Sequence, residues 1–314
     1  MTDKKTAFIF PGQGSQYLGM AQGFIDADPE AKTLMSQADL ISGLQLSTLC
    51  RQGPMEELTK ALHLQPALTA VDLICWQALL KAGLKPHYVA GHSLGEFSAL
   101  CAAGVLSVED TLNLVSARGR LMDREGLKNP GGMRAVLGFT IDEVREVLAG
   151  VTKGVVTAAN HNMETQIVIS GDQAGLDEAS AIFDEMGARV IPLNVAIANH
   201  SPLVQDAVPD FMEVMKGIEF RPPVIPMLFN VTAKAEVDPE VIREVMARQM
   251  SSMVRWLDIM NDFIARDVRV FIEVGPKKVL SGLLRKIVPK GYEHKCFQVD
   301  SPETLEECIE GLRN

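Results

Sequence analysis

The sequence has no C-x-x-C pair, no apolar run of membrane-spanning length and no excess of positive charge. Each absence closes off a class of protein. The five cysteines, Cys50, Cys75, Cys101, Cys296 and Cys308, are odd in number and widely spaced. Such spacing argues against a disulfide framework and for reduced thiols, so a cytoplasmic protein is expected. The polar start, Met1 to Lys5, leads straight into the four apolar residues Ala7 to Phe10, too few for a signal-peptide core or a membrane span. A formal net charge of -10 and a pI near 5.2 argue against a nucleic-acid footprint, which normally leaves a basic domain. No repeat of 20 to 50 residues and no low-complexity tract is present. What remains is 314 residues with 47% hydrophobic content, enough for one large domain carrying a smaller insertion, or for two domains.

Short apolar strands alternate with longer amphipathic segments, the pattern of an α/β protein. Strands are predicted at Ala7 to Phe10, Tyr88 to Ala90, Val224 to Phe229 and Val268 to Val274. Helices are predicted at Met55 to Leu62, Ala67 to Ala82, Glu96 to Ala103 and Val108 to Met122. The chain then loosens at Lys128 to Gly132, a linker signal. Beyond it come a strand (Met133 to Phe139), a helix (Ile141 to Ala149), strands at Val155 to Ala159 and Gln166 to Ser170, a helix (Ala174 to Met186) and a strand (Arg189 to Val195). That βαββαβ order is the split βαβ, ferredoxin-like arrangement, and a subdomain inserted in the larger fold is expected there.

Chemistry concentrates first at Gly91-His92-Ser93-Leu94-Gly95. A serine flanked by glycines at a sharp strand-to-helix turn is pushed out of the backbone, and the helix N-terminus beyond it favours developing negative charge. Ser93 is therefore the candidate nucleophile. An oxyanion hole needs the N–H of the residue after the nucleophile, Leu94, and a second donor from another loop. The glycine-rich stretch Phe10 to Gln16 follows the first strand but lacks the Lys-Ser/Thr ending of a P-loop and the G-x-G-x-x-G spacing of a dinucleotide fold. Its Gln13 is the natural second donor. A base must come from six histidines. His63, His87 and His294 read as structural or surface residues, and His92, adjacent to Ser93, should leave the turn in another direction. His161 and His200 both follow strands of the small-domain region, and spacing does not choose between them.

The pieces Phe10 to Gln16, Gln65-Pro66-Ala67, Gly91 to Leu100, Arg118-Gly119 with Met122, Gly131 to Met133, Asn160 to Gly171, His200-Ser201, Asn230-Val231, Arg248-Gln249 and Glu273 to Pro276 resemble, in order and spacing, the malonyl-CoA:acyl carrier protein transacylase family. The resemblance runs from residue 7 to about residue 288. It implies an α/β-hydrolase-like large domain over 1–127 and 197–314, with the ferredoxin-like subdomain over 128–196. It also implies a ping-pong transfer: Ser93, activated by His200, takes a malonyl group from malonyl-CoA and passes it to the pantetheine thiol of acyl carrier protein in fatty acid or polyketide synthesis. Gln13 and Leu94 would hold the oxyanion, and a main-chain carbonyl at Gln249 would orient the histidine. Arg118 matches the arginine that pairs with the malonyl carboxylate, a pairing suited to a guanidinium; without the match it reads as a helix-end cation. The substrate is itself a coenzyme A thioester, so no resident metal or cofactor is expected, and a monomer is favoured.

Three further features bear on specificity. The family usually carries Ser or Phe before the histidine, where this chain has Ala198-Asn199-His200. The loop Asn162-Met163-Glu164-Thr165-Gln166 replaces the usual small residue, Pro and Gly, and puts Glu164 where it could repel a malonyl carboxylate, with Arg134 as a candidate counter-charge. Lys277, Lys278, Arg285, Lys286, Lys290 and Lys295 face only Glu293 over residues 277–295, a patch suited to coenzyme A phosphates and an acidic carrier protein. An acyl hydrolase clearing carrier proteins would use the same Ser93 and His200, as would a trans-acting acyltransferase of other acyl preference. Arg118 favours the malonyl transferase, and the intact Ser93, His200, Gly91 and Gly95 disfavour a non-catalytic docking protein.

Overall fold

The computed structural model describes residues 4–313. Strand β1 (Lys5–Phe10) is followed by α1 (Gln22–Ala27), α2 (Pro29–Ser42), α3 (Leu46–Gln52), α4 (Met55–Thr59) and α5 (Ala61–Lys81). Next come β2 (Tyr88–Gly91), α6 (Gly95–Ala102) and α7 (Val108–Lys128). A second run holds β3 (Gly132–Leu137), α8 (Ile141–Ala149), β4 (Val156–Met163), β5 (Gln166–Gly171), α9 (Gln173–Glu185) and β6 (Arg189–Pro192). The chain ends with α10 (Ala207–Lys216), α11 (Pro239–Gln249), α12 (Trp256–Ala265), β7 (Val268–Val274), α13 (Val279–Ile287), β8 (Lys295–Val299) and α14 (Pro302–Arg313).

Four strands form a parallel sheet in the order β2-β1-β7-β8. Parallel sheets survive where helices cover both faces, so their strands are apolar throughout rather than alternating. In β1, Phe8 and Phe10 join the core packed by α5 and α2, while Ala7 and Ile9 point the other way into the core built with Trp256, Met260 and Phe263 of α12. Helix α5 is buried along most of its length, from Leu64 to Cys75, as its near-absence of charge requires.

The β3 to β6 run folds into a separate antiparallel sheet of order β4-β5-β3-β6. Alternation along its strands separates two faces. Val136, Ile167 and Ile169 pack under α8 and α9 with Val144 and Phe183, whereas Met133, Ala135 and Val168 form the opposite apolar face.

The structure departs from sequence expectation in a few places. Val224 to Phe229 is no strand: it lies along β2 through one parallel bridge, Val89 with Met227. Pro222, Pro223 and Pro226 have no N–H to donate, so a full ladder cannot form. The helix expected over Met55 to Leu62 breaks at Lys60, whose backbone is extended, and α5 starts six residues before Ala67. Helix α7 runs on from Met122 to Lys128, and β6 ends at Pro192 rather than Val195. No helix among the described residues is long and apolar enough to cross a membrane.

Candidate active site

Strands β1 and β2 end side by side, with Phe10 in register with Gly91, so the loops beyond them meet. Ser93 occupies the turn from β2 into α6 with φ 51°, a left-handed conformation that costs a non-glycine residue about 1–3 kcal/mol. The turn closes only because its flanks lack side chains. A Cβ on Gly91 would fall 2.0 Å from the carbonyl of Gly95, and one on Gly95 would fall 2.2 Å from the carbonyl oxygen of Phe10. Buried Asn230 offsets the strain: Ser93 N–H donates to its Oδ1 at 2.7 Å, and its Nδ2 donates to Gly91 O at 2.6 Å.

His200 is the histidine that reaches Ser93, with Nε2 2.7 Å from Oγ. Its own φ is 59°, and its N–H donates to Met250 O at 2.9 Å. Nδ1 faces two carbonyl oxygens, Gln249 O at 3.0 Å and Ser252 O at 2.9 Å. Carbonyls only accept, so Nδ1 carries the proton and the Nε2 lone pair faces the serine. Among the described residues no carboxylate bonds to the ring. Burial, reinforced by the nearby Arg118 cation, holds the imidazole at a pKa of about 3, so it stands neutral and able to accept a proton across the physiological range. His161 lies outside the pocket, its N–H bonded to Val254 O. The His92 ring turns toward Asn162 Oδ1 (2.8 Å) and the edge of Trp256.

The loop after β1 closes over the same turn, with Gly12 so near that a Cβ would fall 2.5 Å from His92 O. Gln13 and Leu94 both line the pocket around Ser93. Neither backbone N–H has an acceptor among the described residues, which leaves both free for an oxyanion.

Arg118, on α7, is 3% exposed and also lines the pocket. Its two terminal nitrogens donate to amide oxygens, Gln65 Oε1 at 2.9 Å and Gln249 Oε1 at 3.0 Å, and its Nε has no partner. The guanidinium lies 5.6 Å from the Phe97 ring centroid. Burial lowers its pKa to about 10, with Glu96 acting in the opposite direction, so it remains a cation. Two amides hold it without cancelling its charge. Three of its five N–H donors have no partner among the described residues, which leaves a buried cation with no paired anion there.

The pocket encloses about 220 Å³ between the two sheets. The second sheet contributes Met133, Ala135 and Val168, and Asn160, Asn162 and Asn199 add polar edges. Two expectations are corrected here. Glu164 is exposed in the two-residue turn between β4 and β5 and does not line the pocket; Asn162 and Gln166 do. Strand alternation sends Arg134 away from Met133 and Ala135, toward α9, where it binds Asp177 Oδ1 (2.5 Å) and Ser180 Oγ (2.7 Å). It is no counter-charge to the pocket. The described residues hold no cluster of three or more metal-ligating side chains.

Reading the sequence missed Gln65, Glu96, Asn230 and Ser252 as parts of this constellation. Gln65, Asn230 and Glu96 all stand in segments quoted for the resemblance, which was their only signal. Ser252 had none, because it contributes a backbone carbonyl.

Residues 7–297 match the acyl transferase domain family. The malonyl CoA-acyl carrier protein transacylase of Bacillus subtilis (strain 168) is 39% identical over 312 residues, 98% of each chain. The enzyme of the same name from Escherichia coli (strain K12) is 35% identical over 285 residues, 90% of this chain and 92% of that one. The crystal structure of malonyl-CoA:acyl carrier protein transacylase from Xanthomonas oryzae pv. oryzae superposes with a TM-score of 0.93 at 36% identity, covering 99% of both chains. A malonyl-transacylase in complex with its type II PKS acyl-carrier protein superposes with a TM-score of 0.93 at 34% identity, covering 98% of this chain and 99% of that one.

Proposed function

The chain belongs to the acyl transferase domain family, and from that membership we propose that it transfers a malonyl group from malonyl-CoA to acyl carrier protein through an ester on Ser93. In the first half-reaction His200 Nε2 takes the Ser93 proton as Oγ attacks the thioester carbonyl. The oxyanion is held by the N–H groups of Gln13 and Leu94. Collapse of the intermediate breaks the C–S bond, and the departing coenzyme A sulfur takes the proton from His200. In the second half the carrier's pantetheine thiol gives its proton to His200 and attacks the Ser93 ester. The intermediate then releases the serine, which recovers its proton. The Gln249 and Ser252 carbonyls keep the imidazole in the required tautomer throughout.

The observation that carries this reading is Arg118: a buried cation with an unpartnered Nε in the same pocket as Ser93. A neutral acyl group has no use for it, while a malonyl carboxylate completes its donor set. Asn199 and Gln166, which line the pocket, would be polar neighbours of the acyl chain. The exposed cations of α13, Arg285 and Lys286, beside pocket-lining Val279 and Leu283, suit the acidic face of a carrier protein.

The two sheets support an α/β-hydrolase-like domain over 1–127 and 197–314 with a ferredoxin-like subdomain over 128–196, the pocket lying where they meet. Five unpaired cysteines, four of them buried, support a reducing, cytoplasmic setting. The test is incubation with labelled malonyl-CoA, with and without carrier protein. Label is expected on Ser93 and then on the carrier, and Ser93→Ala is expected to abolish both. Malonate release at a rate matching transfer would make the protein a hydrolase instead.

A further inference from the structure

Glu96 stands in the first turn of α6, three residues past Ser93, and is wholly buried. It faces the reacting groups only through others. Its Oε1 accepts from the N–H of Asn230 at 2.6 Å, and its Oε2 accepts from Nε2 of Gln249 at 2.9 Å. The same Nε2 donates to Ser93 O at 2.6 Å, which leaves Gln249 Oε1 to receive Arg118.

A carboxamide has one accepting and one donating end, so Gln249 has two orientations and its neighbours choose between them. We propose that Glu96 is a positioning residue for acyl-group selection: its two accepting oxygens hold the Gln249 amide with oxygen toward Arg118, so that the guanidinium keeps its free donors in the acyl pocket. This rests on the reading that Arg118 receives the malonyl carboxylate. The chemistry of the neighbours is restrictive. The Asn230 donor is a backbone N–H and cannot turn into an acceptor. With Glu96→Gln, the new amide must give its oxygen to that N–H and present its NH₂ to the NH₂ of Gln249. The clash of donors is relieved only if Gln249 turns over, which aims its NH₂ at Arg118 and its oxygen at Ser93 O. Burial raises the Glu96 carboxyl above its ordinary value, while the Asn230 and Gln249 hydrogen bonds and the Arg118 cation oppose that rise. The net value stands at about 8, and it is the two accepted hydrogen bonds, from Asn230 N–H and Gln249 Nε2, that favour the charged form.

The experiment compares kcat/KM for malonyl-CoA and acetyl-CoA in the full chain and in Glu96→Gln, Gln249→Met, the double variant and Arg118→Ala. Ratios cancel any shared damage to Ser93 and His200. Glu96→Gln is expected to lower the malonyl-to-acetyl ratio about tenfold or more, the effect of a misplaced hydrogen bond to a charged group. Gln249→Met, which keeps the carbonyl that His200 uses, should lower it similarly, and the double variant should be no worse than Gln249→Met alone. An unchanged ratio in Glu96→Gln, or multiplicative losses in the double variant, overturns the proposal. Should Glu96→Gln fail to fold, Gln249→Met decides alone: a ratio kept within about threefold refutes the role of the amide. Arg118→Ala separates the two readings. If it leaves the ratio intact, the carboxylate clamp is wrong; if it collapses the ratio while Glu96→Gln does not, only the role of Glu96 falls.

Discussion

Replacing Arg118 by alanine tests the center of the functional reading, and the structure sets the size of the effect. Arg118 is already desolvated before substrate arrives, at 3% exposure, so the protein bears that cost in folding rather than in binding. Two unit charges about 4 Å apart at an effective dielectric near 20 attract by about 4 kcal/mol. Stripping water from the malonyl carboxylate takes back part of this, leaving about 2–3 kcal/mol, the range of hydrogen bonds to charged groups. That corresponds to a fall of about 30- to 160-fold in kcat/KM for malonyl-CoA. Acetyl-CoA lacks the carboxylate and should not suffer this loss.

A second consequence has a definite sign. Burial is the main reason the His200 pKa stands at about 3, and the Arg118 charge is the next. Removing that charge raises the pKa of the imidazole. Because an imidazole acts as a base only when neutral, the proposed role of His200 requires the acid limb of the acetyl-CoA pH profile to move to higher pH in Arg118→Ala. Stopped-flow measurement of coenzyme A release with both thioesters, from about pH 2.5 to 9, reads both effects. Equal losses for the two acyl groups, with an unmoved acid limb, would refute the clamp.

Two further outcomes follow from other parts of the structure. Gly95→Ala forces a Cβ to within 2.2 Å of Phe10 O and 2.5 Å of Pro11 O, both backbone atoms that cannot rotate aside. A loss of about 3 kcal/mol in urea unfolding, at the upper end of overpacking costs, is expected together with loss of the Ser93 acylation burst; a parent-like burst would show that the turn tolerates separation of α6 from β1. Arg285 and Lys286 on α13 are exposed and make no ion pair among the described residues. Reversing both to glutamate should raise KM for carrier protein about tenfold at low salt, with the difference shrinking as salt rises and self-malonylation unchanged. A salt-independent KM identical to the parent's would remove this face from the docking surface.

Some of this molecule is determined by local sequence. The apolar run of β1 requires burial on both faces, and Gly91 and Gly95 around Ser93 permit one tight turn, so the turn that carries Ser93 and the parallel sheet were legible from short-range chemistry. The antiparallel unit was legible too, because the order of strands and helices from Gly132 to Pro192 has a limited set of pairings. Tertiary structure decided what local patterns leave degenerate. Val224 to Phe229 has the composition of a strand, yet Pro226 within it, with Pro222 and Pro223 just before it, denies it a ladder. His161 and His200 occupy similar local settings, and only the fold brings one ring to Ser93 and to the carbonyls of Gln249 and Ser252. Glu164 lies two residues from pocket-lining Asn162 and Gln166, but the hairpin turn carries it into solvent. Arg134 is one residue from pocket-lining Met133 and Ala135, but the strand period sends it to the other face. Charge and its sign are written in the sequence; which cavity a charge faces depends on contacts between residues more than a hundred positions apart, such as Arg118 with Gln249.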